Sequence, residues 1–553
     1  MRRFLFSILL LITMMVACSP APSPTAPPAT TVPMVAATRV APTATAPSVP
    51  TPVPTVPVST LAPTTVPQSP TPTTSTQRGP SKGELRFSDG FLTPSLDADS
   101  GTAGFRLLSY GVAETLMRLT PQLKVEPWLA SKMESVDPFT WRITLRDDVT
   151  FWDGTKMDAA AVKASLQRSM DKQPGTVNLL PKETHITAEG QVITLKLPVA
   201  MGLLPNNLAA YNFAIKKVGA DGKLIYTGPF MTSEFVQGSS LTLTAYPGYR
   251  GGPAGIQTVR VRLIADSNAR ALALQAGDID FAIDLLPASV EPLKKAGVTV
   301  MTFPAVRQHF VILNVTRAPL DDVNVRRAIA LATDRESLVK GVMDGLGSAA
   351  FALVPENLGL PGIERIQKYD PDEAKRVLDA AGWLVGADGI RVKDGKRLTF
   401  KLSSYAGRSE LEPLTIAMRD QLKAVGIDAT LDKITDITTA VATSAFDATI
   451  YSLNTVPSGD AADILRLLYV ASDNNKNRYL NPRLEDLFKQ YTQNPDPAKR
   501  QDLLHQMQGL IADDVPMVFL VNTYQVNGLS PKIKNYTPHP LDNYRLTPDM
   551  TID

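Results

Sequence analysis

Five short stretches of the chain alternate polar and apolar residues with the period of a half-buried strand. They are GELRFSD (83–89), WRITLRDD (141–148), VITLKLP (192–198), SLTLTAYP (240–247) and VRVRLIA (259–265). Between and after them run segments with helical spacing. In YDPDEAKRVLDAAGW (369–383), Asp370 is the expected N-cap, Pro371 the first helical residue, Glu373 the third and Gly382 the stop. Ala374, Val377, Leu378 and Ala381 fall at i, i+3, i+4 and i+7, which is one helix face. DPAKRQDLLHQMQGLIADD (496–514) repeats the Asp-Pro start and sets Leu503, Leu504, Met507, Leu510 and Ile511 on one stripe. RLTFKLSSY (397–405), a helix through Met418 and Leu422 ending at Gly426, and IDATLD (427–432) predict a strand–helix–strand unit with parallel pairing. DSNARALALQAGDIDFAID (266–284) predicts a helix that ends at Gly277 and runs into a strand. The pattern is α/β, antiparallel-rich over 119–212 and βαβ-rich over 310–516, with no internal repeat.

The start of the chain breaks this pattern. Arg2 and Arg3 precede an apolar run from Phe4 to Ala17, interrupted only by Ser7 and Thr13. As a helix it would span roughly 21 Å, short of the ~30 Å hydrocarbon core, so it predicts a secretory leader over residues 1–17. Met15-Val16-Ala17-Cys18 resembles a bacterial lipobox, in which the cysteine becomes the lipid-carrying N-terminus. Cys18 is the chain's single cysteine, so an internal disulfide is excluded and the body depends on its core for stability. Residues 19–79 are almost wholly Pro, Thr, Ala, Ser and Val, with Arg39 and Arg78 as their charges. Such a segment cannot bury enough apolar surface to offset its ordering entropy. It is expected to be an extended, unfolded tether reaching at most on the order of 190 Å.

Charge narrows the partners. The net charge of +2 includes Arg2 and Arg3, so the chain beyond the leader is balanced. It shows no basic stripe or acidic tail, which argues against nucleic acid as a partner. After residue 17 no apolar run approaches membrane-spanning length. From residue 80 onward the chain is long enough for two or three domains.

FWDGTKMDAAAVKASLQRSM (151–170) resembles the strand, Asp-Gly turn and helix of family 5 extracytoplasmic solute-binding proteins, the peptide and nickel receptors of ABC importers. Asp153-Gly154 makes the turn, Asp158 caps the helix, and Val162, Leu166 and Met170 pack along it; Ala160 and Ala161 stand where the family carries an acidic residue. YTGPF (226–230), LQAGDIDFA (274–282), VILNVTRAPLDDVNVRRAIALATDRESLV (311–339), KNRYLNPRLEDLF (476–488) and IADDVPMVFL (511–520) are similar to further family segments, in the family's order. The resemblance covers about 83–525, nearly the whole body.

It implies a two-lobed, type II periplasmic-binding-protein-like α/β fold with an extra subdomain inserted in lobe I. Lobe I would take 80–118, 213–309 and 517–553, the insert 119–212, and lobe II 310–516. The implied function is capture of a small polar solute, a di- or oligopeptide or a relative, in an interlobe cleft that closes by a hinge. The receptor, a monomer without cofactor, metal or catalytic residues, would hand its cargo to a membrane permease and ATPase complex. It would sit outside the cytoplasm, held at the membrane by lipid on Cys18. The alternative on the same fold is a sensor or chaperone that signals to a membrane partner without transport. By the same resemblance the cleft is faced by Phe91, Leu92 and Thr93, and by Tyr451, Leu453, Asn454 and Thr455. Thr455 takes the position where peptide binders carry an Asp for the ligand's α-amino group, and Asp460, in a loop two residues longer, is the candidate replacement charge.

Three other motifs do not support a chemistry. Ser337-Leu338-Val339-Lys340 and Ser472-Asp473-Asn474 match two elements of penicillin-recognising enzymes, but the Lys-Thr-Gly element is absent. DNNKNRYLNPRLE (473–485) mimics a calcium loop, with Arg478 in place of the required Gly and Glu485 one position late. His185, His309, His505 and His539 have no metal-ligand spacing.

Overall fold

The computed structural model describes residues 78–406, 408–470 and 478–553, which belong to one compact unit. Cys18 and the expected tether up to residue 77 lie outside the described residues, as do Ser472, Asp473 and Asn474. In chain order the main strands are β1 (Lys82–Asp89), β2 (Ala130–Asp137), β3 (Thr140–Leu145), β4 (His185–Glu189) and β5 (Val192–Lys196). They continue as β6 (Phe230–Val236), β7 (Ser240–Ala245), β8 (Ile256–Leu263), β9 (Phe281–Ala282) and β10 (Thr299–Leu313). The last are β11 (Gly347–Ala349), β12 (Thr399–Tyr405), β13 (Asp428–Ile434), β14 (Ala448–Asn454) and β15 (Met517–Leu529). The main helices are α1 (Ala103–Ser109), α2 (Ala159–Lys172), α3 (Ser267–Ala276), α4 (Val290–Lys295), α5 (Val323–Ala332) and α6 (Arg335–Val342). They are followed by α7 (Pro371–Ala380), α8 (Leu411–Lys423), α9 (Ala462–Leu468), α10 (Pro482–Gln493) and α11 (Pro497–Asp514).

Local sequence sets the helix ends. The Asp370 carboxylate accepts the Glu373 N–H at 2.9 Å and Pro371 opens α7, which needs no donor there. Asp496 accepts from Ala498 N–H at 2.9 Å at the start of α11, and Asp158 accepts from Ala161 N–H at 2.8 Å at the start of α2. The first turn of α2 has no acidic residue, so its cap stands without added dipole support. On α11, Leu504, Met507 and Ile511 are buried, and Leu503 and Leu510 half-buried, as the stripe requires. Gly277 ends α3 at φ 77°, a conformation with no Cβ penalty for glycine. The strand after it is only Phe281–Ala282, held between β1 and β15, before the chain leaves the sheet at Asp284.

An eleven-stranded sheet runs in the order β6-β7-β8-β1-β9-β15-β10-β14-β12-β13, with β11 paired to β15. Its flanks contain parallel pairs, β1 with β8 and β9, and β12 with β13 and β14. Its centre is an antiparallel ribbon of the 15-residue β10 and the 13-residue β15. Register shifts interrupt this ribbon between Pro304 and Gln308 and between His309 and Phe310. Such irregularities bend and twist a strand pair. The lobe junction expected at 309/310 falls inside this irregular stretch, and the one expected at 516/517 falls where β15 begins.

A separate antiparallel sheet, β2-β3-β5-β4, lies in the expected insert and is backed by α2. One apolar core joins this small sheet to α9, α10 and α11 and to Val306, Phe310 and Ile312 of β10. A second lies between β12–β14 and α5–α8, and a third surrounds β1 and β6–β9. Each fully buried Leu, Ile or Phe in these cores contributes about 1.5–3 kcal/mol relative to exposure. No helix among the described residues is long and apolar enough to cross a membrane.

Candidate functional site

A cavity of about 500 Å³ lies beside the central ribbon. Ala305 and Arg307 of β10 and Asn454 of β14 line it, together with Phe91, Arg106, Asp284 and Asp542 and with Met343, Asp344, Arg408, Glu410 and Pro413. Residues Thr523–Val526 of β15 complete it. Its charged lining is three arginines and four carboxylates, and the way these pair decides what the cavity can hold.

Asp89 organises one wall. Its buried carboxylate accepts from Arg106 Nη1 and Arg545 Nη1, each at 3.0 Å, from the Tyr110 hydroxyl at 2.9 Å and from the Phe91 N–H at 3.0 Å. Arg106 and the Phe91 loop are therefore set by a group behind the wall. The Phe91 ring is left 69 % exposed, with the Arg106 guanidinium 5.9 Å from its centroid. Arg545 also lies 3.1 Å from Asp542 and 3.5 Å from Asp284. Burial disfavours its charge, but Asp542, Asp89 and Asp284 outweigh that and hold its pKa above the usual arginine value. Burial pushes Tyr110 up, and the neighbouring Asp89 charge pushes it further.

Asp284 reaches the cavity from a residue at φ 51°, a left-handed conformation that Asp tolerates. Its backbone carbonyl is held by Arg270 Nη2 at 2.8 Å and by the Ser267 hydroxyl at 3.0 Å, which leaves the carboxylate to face the cleft. Enclosure by the walls raises its pKa, against the pull of Arg545. Asp344 also lines the cavity, likewise at positive φ, 48°.

Arg307 makes no ion pair among the described residues, Asp542 and Asp284 attracting it only from beyond contact. It sits on β10 opposite Asn454 of β14, half-buried, and its Nη1 donates to the Ser452 hydroxyl at 3.3 Å. Among the described residues no carboxylate pairs with it within 4.0 Å. Its pKa is lowered, first by burial and next by the repulsion of Arg408. Arg408 meets Glu410 only at 3.9 Å. Glu410 precedes α8, and its Oε1 lies 3.2 Å from Nε2 of the fully buried His309. Burial pushes His309 below its usual range by more than Glu410 raises it. Glu410 stays ionised: burial alone would raise it, but contact with His309 holds it below the usual carboxylate range.

Of the residues picked out in the sequence, Phe91 and Asn454 line this cavity. The others are placed elsewhere. Leu92 packs on the core around β1, and the buried Thr93 donates its hydroxyl to the Ser95 carbonyl at 2.6 Å. Tyr451 and Leu453 lie on the opposite face of β14, against the core shared with α9–α11. Thr455 is buried, with its hydroxyl on the Val306 carbonyl at 3.1 Å. Asp460 is turned away as well, accepting from Ala462 N–H and the Tyr491 hydroxyl, each at 2.8 Å. Strand alternation explains the division on β14, because residues 452 and 454 share the face that 451 and 453 lack. Arg106, Asp284, Arg307, Arg408 and Glu410 carried no motif; only their convergence in three dimensions singles them out. Among the described residues no group of three or more His, Cys, Asp or Glu side chains is arranged to hold a metal ion.

This architecture has relatives. Residues 124–476 match the family model of bacterial extracellular solute-binding proteins, family 5 (middle). The chain belongs to that family, which is one of solute-binding proteins and not of enzymes. The nickel-binding protein NikA of Staphylococcus aureus is 27 % identical over 80 % of this chain and 89 % of its own length. The probable D,D-dipeptide-binding periplasmic protein DdpA of Escherichia coli is 30 % identical over 75 % of this chain and 83 % of its own. The crystal structure of a nickel ABC transporter protein from Bacillus halodurans superposes with a TM-score of 0.74 at 28 % identity, covering 85 % of this chain and all of that one. The fold is thus the two-lobed type II periplasmic-binding-protein fold of family 5.

Proposed function

We propose that the chain is the receptor lipoprotein of an ABC importer and that it captures a small zwitterionic solute with a free carboxylate between its lobes. The observation that carries this reading is the pairing pattern of the cavity. Arg307 and Arg408 repel one another, and among the described residues no carboxylate pairs with Arg307 within 4.0 Å, Asp542 and Asp284 attracting it only from further off. A ligand carboxylate between them supplies the pair through charge-assisted hydrogen bonds, for which arginine's planar fork is suited. Asp284 and Asp344 then face the ligand's cationic end, and the exposed Phe91 ring offers an apolar contact. A short peptide meets these requirements. So does a metal bound by amino-acid ligands, because such a chelate brings its own donors. The absence of a carboxylate at Thr455 is compatible with either, since Asp284 and Asp344 offer the negative charge elsewhere in the lining.

Closure follows from the same groups. A ligand that touches both lobes favours the closed state only by its differential affinity for it. Moving the equilibrium from 1:99 to 99:1 takes about 5.5 kcal/mol of such preference. The closed form is what the permease and its ATPase distinguish. Lipid on Cys18 and the Pro/Thr-rich spacer keep a monomeric receptor near them, outside the cytoplasm, at high effective concentration. A thermal-shift panel tests the reading: short peptides as free acids, the same peptides C-amidated, and nickel with L-histidine. At least one free-carboxylate ligand is expected to raise the melting temperature by several degrees through mass action. Equal shifts for the acid and amide forms would contradict the carboxylate assignment.

A further inference from the structure

The strand β10 separates two features of the molecule. Ala305 and Arg307 face the cavity, and so does Asn454, which stands opposite Arg307. The alternate residues Val306, Phe310 and Ile312 lie in the core shared with the small sheet and α9–α11, where Tyr451 and Leu453 also pack. Neighbouring side chains on a strand point to opposite faces, so the cavity and this core flank the ribbon on its two sides.

On the core side the insert touches the elements that follow β14. The Gly202 N–H donates to the Thr492 carbonyl at 2.8 Å, and Asn206 Nδ2 donates to the Ser458 carbonyl at 2.9 Å. The surfaces meet closely enough to exclude side chains: a Cβ on Gly202 would collide with the Asn494 carbonyl oxygen, and one on Gly459 would come within 2.7 Å of the Leu123 carbonyl oxygen. Leu119, Leu123, Leu203 and Leu204 share one core with Val456, Leu465 and Tyr491 across this seam. The Tyr491 hydroxyl is held in turn by Asp460.

We propose that this seam is a counterweight to the ligand cleft. With the lobes joined through β10 and β15, rotation about that ribbon that narrows one face widens the other. Cleft closure therefore draws the seam apart, and the seam holds the cleft open until ligand contacts exceed it. Residues remote from the cavity thereby set the ligand affinity, because affinity falls with the fraction of molecules able to close. The proposal rests on the hinge-closing reading of the function but not on the identity of the ligand.

The test uses the full chain with Cys18→Ser and spin labels at Lys295→Cys and Lys340→Cys. These exposed positions lie on α4 and α6, one in each expected lobe and both outside the cavity lining. Inter-label distances are measured without added ligand in this background and with N206A or G202A added. N206A removes one interlobe hydrogen bond without steric change and is expected to raise the short-distance population about threefold, the size of one net hydrogen bond. G202A wedges the seam and is expected to raise it further. Distances that stay unchanged or lengthen in both variants overturn the counterweight. Native mass spectrometry of the same samples reports retained cargo, so failure of the ligand reading is seen separately.

Discussion

Arg307 and Asn454 stand directly opposite one another in the antiparallel register of β10 and β14, and both line the cavity. Among the described residues no carboxylate pairs with Arg307 within 4.0 Å, and it stands on the irregular stretch of β10 that borders the expected lobe junction.

Removing the Arg307 cation is expected to weaken capture strongly with little effect on folding. R307A should weaken binding of a carboxylate ligand about 100-fold, the weight of a desolvated charge pair. R307K keeps the charge but not the planar fork, and should lose about tenfold. Isothermal titration with the ligand that shifts the melting temperature measures both. A loss confined to R307A, with R307K equal to wild type, would reduce the role of Arg307 to charge alone.

Phe91 separates binding from stability. Its ring is 69 % exposed, so F91A is expected to change unfolding free energy by no more than about 0.5 kcal/mol. It should nevertheless weaken ligand binding several-fold. Urea unfolding and titration on the same preparation check the two halves of the expectation.

Asp89 behaves in the opposite way. D89A strands Arg106, whose side chain is 11 % exposed, and takes from Arg545, 4 % exposed, one of its three carboxylates. Leaving buried charge unpaired costs about 3–5 kcal/mol, which should appear as a lower urea midpoint.

Two buried groups make stability depend on pH with opposite sign. His539 donates from Nε2 towards the Leu119 carbonyl at 3.2 Å and accepts the Leu541 N–H at Nδ1 at 3.0 Å, which suits the neutral ring. Burial lowers its pKa to about 4. The unfolded chain binds that proton first, so stability falls as pH drops from about 6.5 towards 4. Burial raises Asp463 to about 6, against the Ser458 N–H and hydroxyl, each at 2.7 Å. The folded chain holds that proton first, so stability rises as pH drops from about 6 to 4, by about 3 kcal/mol at most. The two trends offset one another in the wild type. D463N is expected to be more stable than wild type at pH 7.5, to lose that advantage by pH 4, and to show the His539 decline uncovered. Thermal unfolding across pH 4–8 measures the difference.

The flanks of the fold were legible in the sequence because they alternate. GELRFSD and VRVRLIA lie on β1 and β8, each with polar residues on one face, and the Asp-Pro starts mark the beginnings of α7 and α11. The ribbon was not legible at its full length. β10 reads TVMTFPAVRQHFVIL: Pro304 interrupts it, and from Phe310 to Leu313 both faces are buried, so alternation fades. The cleft was legible only in part. The resemblance led to Phe91 and Asn454, but it offered no rule for the face of β14 and so also led to Tyr451 and Leu453. Asp460 looked like a spare charge because sequence cannot show that Tyr491, thirty-one residues on, lies against it. The cleft charges come from six separate segments, and no spacing along the chain records their meeting.

The most direct test of the account is native mass spectrometry of the full chain as purified, compared with R307A prepared in parallel. A small carboxylate-bearing solute retained by the wild type and lost from R307A is the expected result. Retention of the same cargo, undiminished, by R307A would contradict the account.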